Sequence, residues 1–369
     1  MAGGQVVKVL VAPLDWGLGH ATRCVPVIKE FLRQGAQVEL AVTGSYAPLY
    51  NEIFLELKKH VAPSYGIVYP KHGFNMGLWL LKNSVHLNRV VEYEHHYAEE
   101  MVRRHGFDIL FSDNRFGFYS AKALSIYMTH QCRIAFPALF SKFEGIGVHW
   151  HRKKMENFDQ VWIPDLKEAP GYAGAMSHVK SCPENVRYAG PLSRFTELDD
   201  LPEMMAAASK DLNVVAVISG VEPARSAFER RLRELLSELP GNHVMILGKP
   251  GAERKSWTEG NVQFFSHLET PEFARTVRRA RWIISRGGYS TIMDMAVLGA
   301  SCIFVPTPGQ YEQVVLAKSL SRAGYAVEIP AAKLNLETLQ TAMETQVRLP
   351  KPPSQNLLTP LVQEALKQV

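Results

Sequence analysis

Short apolar runs alternate along this chain with stretches whose apolar residues recur at helical spacing. Val6 to Ala12 is β-branched and apolar and predicts a buried strand. A helix follows over about Ala21 to Gln34, closed by Gly35, then a strand at Gln37 to Val42 and a helix near Ala47 to Lys58. The pattern continues with a long helical stretch over roughly Leu78 to Arg104 and a strand at Asp108 to Phe111. A helix near Tyr119 and strands at Ile126 to Thr129 and Gln160 to Ile163 complete the first half. From Ser181 to Pro202 the texture turns polar and Pro-rich and reads as a connection. The alternation then restarts with a strand at Val214 to Ser219 and a helix at Ala224 to Leu239. Strands at His243 to Leu247 and Val262 to Phe265, a helix at Pro271 to Ala280, a strand at Cys302 to Pro306 and a helix at Tyr311 to Ala323 follow. Two βαβα series predict an α/β protein of two doubly wound, Rossmann-like domains, 1–190 and 191–369, with the C-terminal tail able to pack back on the first.

Ligands of open parallel sheets bind beyond the carboxyl ends of the strands. In the first half those ends carry Asp15 to His20, Thr43-Gly44-Ser45, Asp113-Asn114-Arg115 and His130-Gln131. In the second they carry Gly220 to Pro223, Gly248-Lys249, Ser266-His267, Arg286-Gly287-Gly288 and Thr307 to Gln310.

One stretch stands out, SRGGYSTIMDMAVLGA from Ser285 to Ala300. Arg281 to Ile284 reads as a strand, Gly287 and Gly288 as a turn open to close approach, and Ser290 onward as a helix ended by Gly299. A helix N-terminus offers unpaired N–H groups and a positive dipole, which suits a phosphate. Asp294, about one turn further on, would repel that anion. The conflict disappears if Asp294 holds something neutral attached to the phosphate, such as a ribose diol. A nucleoside diphosphate fits the stretch, and an ordinary βα turn with a capping acid is the plainer alternative.

Three further motifs add candidate chemistry. DWGLGHATR (15–23) sets two glycines and His20 at a helix start, where imidazole suits a general base, a helix cap, or part of a dinucleotide turn with Glu39 as its ribose acid. Thr22 at the third glycine position weighs against the last. TPGQYEQ (307–313) opens a helix with Glu312-Gln313, a pair able to hydrogen-bond adjacent sugar hydroxyls. YPKHGFNMGLWLLK (69–82) reads either as a membrane-surface patch with flanking cations or as a loop and core helix. EYEHHYAEE (92–100) aligns Glu92, His96 and Glu100 on one face, a solvated helix face before a metal site. HWHRKK (149–154) is a local basic run.

A net charge of +5 and a pI near 8.9 suit phosphorylated substrates or an anionic membrane face and are too weak for nucleic-acid binding. Cys24, Cys132, Cys182 and Cys302 are scattered and read as free thiols. With no signal-peptide pattern and no spanning apolar run, a cytoplasmic protein is expected, with the membrane's inner face as a peripheral location.

DWGLGHATR and SRGGYSTIMDMAVLGASCIFVPTPGQYEQ, in this order and spacing, resemble the GT-B glycosyltransferases. Within them the chain is similar to the N-acetylglucosaminyltransferases that make the lipid-linked precursor of peptidoglycan, which carry a family 28-type C-terminal domain. The resemblance implies two Rossmann-like domains facing a central cleft. It implies that Gly287 and Gly288 hold a donor diphosphate with Thr291 close by, and that Asp294, where the family has Glu, holds the ribose. Glu312 and Gln313 then read the donor sugar, where two glutamines are common. Phe265, Ser266 and Leu268 meet the uracil, and Ser219, Gly220 and Arg225 form a first phosphate loop beside Arg286. In the N-terminal half His20 is the base, with Asp113 and His130 as reserves, and Asp15, Gly17, Gly19, Asn114, Arg115 and Gln131 line the acceptor side. The implied activity is inverting, metal-independent transfer from a UDP-sugar to an acceptor glycan or lipid, with no cofactor. Donor and acceptor meet when the two domains close, and GPLSRF (190–195) is the expected hinge. The alternatives are a sugar-nucleotide hydrolase or epimerase on the same fold, and a non-catalytic nucleotide-sugar-binding subunit.

Overall fold

The computed structural model describes residues 6–15, 17–43, 47–66, 84–133, 144–178, 184–198, 209–220, 222–249, 253–353 and 355–369. They form two compact units. The first takes its described residues from 6–66, 84–192 and 353–369, and the second from 193–352.

The first unit is a parallel sheet with helices on both faces. Its strands are β1 (Lys8–Pro13), β2 (Gln37–Val42), β3 (Lys59–Val61), β4 (Ile109–Asp113), β5 (Leu124–Met128), β6 (Gln160–Ile163) and β7 (Val186–Tyr188), in the order β3-β2-β1-β4-β5-β6-β7. The helices are α1 (Leu18–Arg33), α2 (Ala47–Ile53), α3 (Ser84–His105) and α4 (Glu144–Met155). Val9, Val11, Val38 and Leu40 pack on one face against Cys24, Val27, Ile28 and Phe31 of α1. Burial on both faces explains the unbroken apolar runs of these strands. The chain's last helix, Leu358–Lys367, adds Leu358, Leu361, Val362 and Ala365 to the same core, and Gln368 receives a hydrogen bond from Gln160 at 2.9 Å.

The second unit repeats the plan. Its strands are β8 (Leu212–Val217), β9 (His243–Ile246), β10 (Ser256–Glu259), β11 (Val262–Phe265), β12 (Ala280–Ser285), β13 (Cys302–Phe304) and β14 (Val327–Glu328), in the order β10-β11-β9-β8-β12-β13-β14. Only β10 runs antiparallel to its neighbour. The helices are α5 (Ala224–Glu238), α6 (Thr270–Arg279), α7 (Tyr289–Val297), α8 (Tyr311–Arg322) and α9 (Leu336–Met343), and the helix at 358–367 is α10.

Three expectations change. Residues 114–123 form turns rather than a helix near Tyr119. The loop is pressed onto α3 so closely that a Cβ on Gly117 would lie 2.1 Å from the Val91 carbonyl oxygen. The connection at 181–202 contains β7, an edge strand. The third concerns the glycine pair at 287–288, where neither residue adopts a positive φ.

Candidate functional site

In each sheet the strand order reverses at one place, between β1 and β4 in the first unit and between β8 and β12 in the second. Chains leave such neighbouring strands toward opposite faces, which opens a crevice at their carboxyl ends.

At the first reversal β1 leads into Asp15, Gly17 and α1, while β4 ends on Asp113, paired in register with Pro13. Gly17, at φ +138°, lets the chain turn sharply into α1. His20 stands in the first turn, and its Nδ1 lies 2.9 Å from Asp113 Oδ2. Arg23, one turn on and on the same helix face, closes over the same carboxylate. Its Nε donates to Asp113 Oδ1 at 2.9 Å, its Nη2 donates to the same oxygen, and its Nη1 meets His130 Nδ1 at 3.1 Å. Arg23, Asp113 and His130 are buried, and His20 keeps 17% of its side chain exposed, so it is the member of the group that a ligand can reach.

Burial lowers the His20 pKa and the Arg23 charge lowers it further, against the opposing pull of Asp113. The ring is therefore neutral near pH 7. Burial by itself would raise Asp113, but the Arg23 guanidinium and the bonds from His20 and Arg23 more than offset it and keep the carboxylate ionised. A neutral imidazole backed by a carboxylate is equipped to take a proton. Asp113 is spent on that support and is not free to act as a base. Arg23 escaped the sequence reading although it lies inside DWGLGHATR. Its i, i+3 spacing from His20 was the available signal.

The expected acceptor-side residues divide. Asp15 sits at the crevice mouth, its Oδ2 bonded to Ser64 Oγ at 2.5 Å and its Oδ1 buried with no partner among the described residues. Gly19 lies in the first turn of α1, and Gln131 follows His130, partly exposed. Asn114, at φ +59°, accepts a hydrogen bond from Tyr127 at 2.7 Å. Arg115 corrects the expectation. It is fully buried, paired to Glu94 at 2.6 Å, and donates to the carbonyls of Pro13 and Pro63. It braces the loops beneath the site and has no face left for an acceptor.

At the second reversal β12 leads through Arg286, Gly287 and Gly288 into α7, with Gly288 as N-cap. A Cβ on Gly288 would meet only Thr291 Oγ1, at 4.0 Å. Glycine there serves neither a special φ nor packing, so what remains for it is to leave room above the helix end. Gly220, after β8, does need its φ of +108°, and Ser219 beside it is partly exposed.

Asp294 accepts from Ser193 Oγ at 2.6 Å through Oδ1, and its surroundings raise its pKa to about 6 by burial, against the pull of Arg194. As a residue Asp294 is half-buried. Two arginines depart from expectation. Arg286 donates to the carbonyls of Val305, Pro306 and Ala224 and lies 3.9 Å over the Phe228 ring, its pKa lowered to about 10 by burial. Arg225 turns onto Glu222, Glu229 and the Leu247 carbonyl. Both tie loops together instead of projecting toward Gly288.

Gln313 accepts from the Thr307 N–H at 2.8 Å and so holds the loop before α8, with Glu312 beside it partly exposed. At the end of β11 the Phe265 carbonyl accepts from the Leu247 N–H, and in the loop beyond it Ser266 Oγ accepts from the Lys255 N–H. Leu268 is buried.

The remaining motifs resolve as follows. Residues 69–82 and the Gly44-Ser45 pair lie outside the described residues. Within 92–100, Glu100 binds Arg103 and Arg104, and Glu94 is the partner of Arg115. No group of three metal-ligating side chains occurs among the described residues. Glu39 sits in the middle of β2, bonded to His60, short of the strand end where a ribose acid is needed, which removes the dinucleotide reading. Cys24, Cys132 and Cys302 are buried, and none of the three forms a disulfide. No helix among the described residues is long and apolar enough to cross a membrane.

Comparison with known proteins agrees with this architecture. Residues 249–358 match the glycosyltransferase family 28 C-terminal domain. Over 342 residues, 86% of this chain and 84% of the relative, the sequence is 23% identical to an uncharacterized glycosyltransferase of Methanosarcina mazei. Over 102 residues, 27% of each chain, it is 36% identical to the UDP-N-acetylglucosamine--N-acetylmuramyl-(pentapeptide) pyrophosphoryl-undecaprenol N-acetylglucosamine transferase of Chelativorans sp.. The crystal structure of Acinetobacter baumannii MurG shares the fold with a TM-score of 0.56 at 15% identity, covering 98% of this chain and 99% of that one. The fold is that of the GT-B class, and residues 249–358 are similar to a glycosyltransferase domain. Within that class the chain is similar to the transferases that carry the family 28 C-terminal domain.

Proposed function

We propose that this protein is an inverting glycosyltransferase that moves a sugar from a UDP-sugar to an acceptor hydroxyl. The observation that carries the reading is the buried Asp113 carboxylate 2.9 Å behind a neutral, partly exposed His20. His20 Nε2 takes the acceptor's proton as the hydroxyl oxygen attacks the anomeric carbon. The nucleoside diphosphate leaves from the opposite face, so the centre inverts. Leaving-group charge falls at the N-terminus of α7, whose dipole amounts to roughly half a positive charge, and a Cβ on Gly288 would meet only Thr291 Oγ1, so the helix end is open to close approach. That arrangement serves the leaving group without a metal. Asp294 accepts from the ribose hydroxyls, and Glu312 faces the sugar. The family 28 match supports a nucleotide-sugar donor because it spans Gly287 to Asp294. A lipid or lipid-linked glycan at the cytoplasmic membrane face is the acceptor class we favour, from the chain's basic charge and its 69–82 segment.

The test pairs binding with turnover. Melting is followed with UDP, several UDP-sugars, GDP-mannose, dTDP-glucose and NAD. A ligand at 100 times its dissociation constant adds about 2.7 kcal/mol of stability. A shift with UDP, larger with one UDP-sugar, is expected. His20→Ala is expected to keep that shift and lose transfer, and unchanged transfer would remove His20 from the role. A shift with NAD alone would sink the donor assignment. Release of free sugar without acceptor would favour a hydrolase.

A further inference from the structure

The acid assigned to the ribose is held from outside its own helix. The chain enters the second unit at Ser193, directly after Leu192 of the first unit's core. Ser193 is fully buried and caps a short 3-10 helix, Arg194–Glu197, by accepting from the Phe195 N–H at 3.2 Å. Thr196 donates twice to the Ser193 carbonyl, from its N–H at 3.2 Å and from its hydroxyl at 2.7 Å. The Phe195 ring stacks on Phe273 of α6 at 5.5 Å, and the Arg194 guanidinium lies 4.9 Å over the Phe195 ring. Backbone bonds and ring packing together fix this turn to the second unit.

The Ser193 hydroxyl is thereby aimed. The Phe195 N–H can only donate, so Ser193 Oγ accepts from it and keeps its own proton for Asp294 Oδ1, 2.6 Å away. An ionised Asp294 can only accept, so the direction of the bond has no alternative. Asp294 Oδ2 has no hydrogen-bond partner among the described residues. It is also not one of the fully buried polar atoms that lack one, so it keeps contact with solvent. The last torsion of an aspartate is broad and nearly two-fold. A short bond from a rigid turn removes that freedom and fixes which oxygen faces out.

We propose that Ser193 is a positioning residue of the donor site, anchoring Asp294 Oδ1 so that Oδ2 is the oxygen presented to the ribose hydroxyls. The ribose part rests on the function proposed above, and the anchoring does not. The Ser193 bond also favours the ionised carboxylate. It works with the charge of Arg194, the charged group that acts on Asp294 among the described residues, against the burial that raises the pKa to about 6. Removing the hydroxyl leaves burial less opposed and moves the titration up.

Two measurements on the full chain test this. The first uses no ligand. The side-chain carboxyl carbon of Asp294 is titrated by 13C NMR and assigned by its loss in Asp294→Asn. The wild type is expected to titrate near pH 6, and Ser193→Ala about one pH unit or more higher. An unchanged midpoint overturns the anchor. The second compares the affinities of UDP and 2′-deoxy-UDP at about pH 8.5, where the carboxylate is ionised in both proteins. The wild type is expected to prefer UDP by about tenfold, because the deoxy ligand loses a hydrogen bond to a charged group. Ser193→Ala is expected to bring that ratio within about twofold, its carboxylate being free to turn. A serine with a merely structural role would weaken both ligands alike, and an unchanged ratio therefore overturns the proposal. Ser193→Gly takes the place of Ser193→Ala should the latter fail to fold, since glycine is tolerated at an N-cap. A wild type that binds neither nucleotide would sink the donor reading, and the carboxyl titration would still decide the anchor.

Discussion

Replacing Asp113 by Asn keeps the outline of the side chain and reverses half of its hydrogen bonding. Asp113 accepts from Arg23 Nε and Nη2 on Oδ1 and from His20 on Oδ2. The Asn oxygen must stay with the two Arg23 donors, because Arg23 can only donate. The Asn NH2 then faces His20 Nδ1 and obliges it to accept. The ring proton moves to Nε2, the nitrogen that needs to be bare. The loss expected is that of a general base, about 10²- to 10⁴-fold in kcat. Stability also falls, because a buried guanidinium loses its counter-charge, a change that typically costs about 3–5 kcal/mol. Two retained bonds to Arg23 place this case near the lower end. Single-turnover transfer at saturating donor measures the first effect and thermal denaturation the second. UDP binding is expected to persist, since the donor turn lies in a unit with its own core. Transfer within about threefold of wild type would refute the tautomer argument, as would UDP binding lost in step with transfer.

Other substitutions separate binding from folding. Gly288→Ala is expected to lower the melting temperature only slightly, since φ is −73° and the new methyl meets only Thr291, while alanine is a poorer N-cap than glycine. UDP affinity should fall, and unchanged affinity would remove the turn from the donor site. For Asp294 the folded pKa of about 6 lies above the ordinary 3.8, so the fold takes up a proton between those values and loses stability as pH rises through them. Asp294→Asn is therefore expected to stabilise the protein at pH 7, by about 1–3 kcal/mol, with no gain below pH 3.8. UDP affinity of the wild type should rise with pH through about 6 and the variant should lose that dependence, which isothermal titration on either side of that pKa would show. Arg225→Ala should change UDP affinity by less than about twofold, because its guanidinium is spent on Glu222, Glu229 and Leu247. A tenfold loss would return it to the phosphate site.

The strands that the apolar pattern missed share one physical property. β3, β7, β10 and β14 are the outer strands of the two sheets. Edge strands are short and half-exposed, so they carry no unbroken apolar run for a sequence pattern to catch. Central strands buried on both faces were legible, and Gln37–Val42, Gln160–Ile163 and Val262–Phe265 coincide with their expected limits. The glycine turn was legible too, with its reason changed. Gly287 and Gly288 have ordinary negative-φ geometry, and openness above the turn is what distinguishes Gly288.

Local chemistry by itself determined that the chain holds two parallel α/β units, that a glycine turn opens α7, and that His20 stands at a helix start. These follow from spacing within a few residues, where periodicity and capping act. Which charged side chains belong to the site was decided only in three dimensions. Arg23, Arg115, Arg225 and Arg286 look alike as residues beside strand ends. The parallel sheet then brings Asp113 to Arg23 across 90 residues and Pro13 to Arg115 across 102, and gives each cation a different buried partner. A buried charge must be paired where the fold leaves it, and that pairing, set by strand order, put Arg23 under His20 and turned the other three into braces.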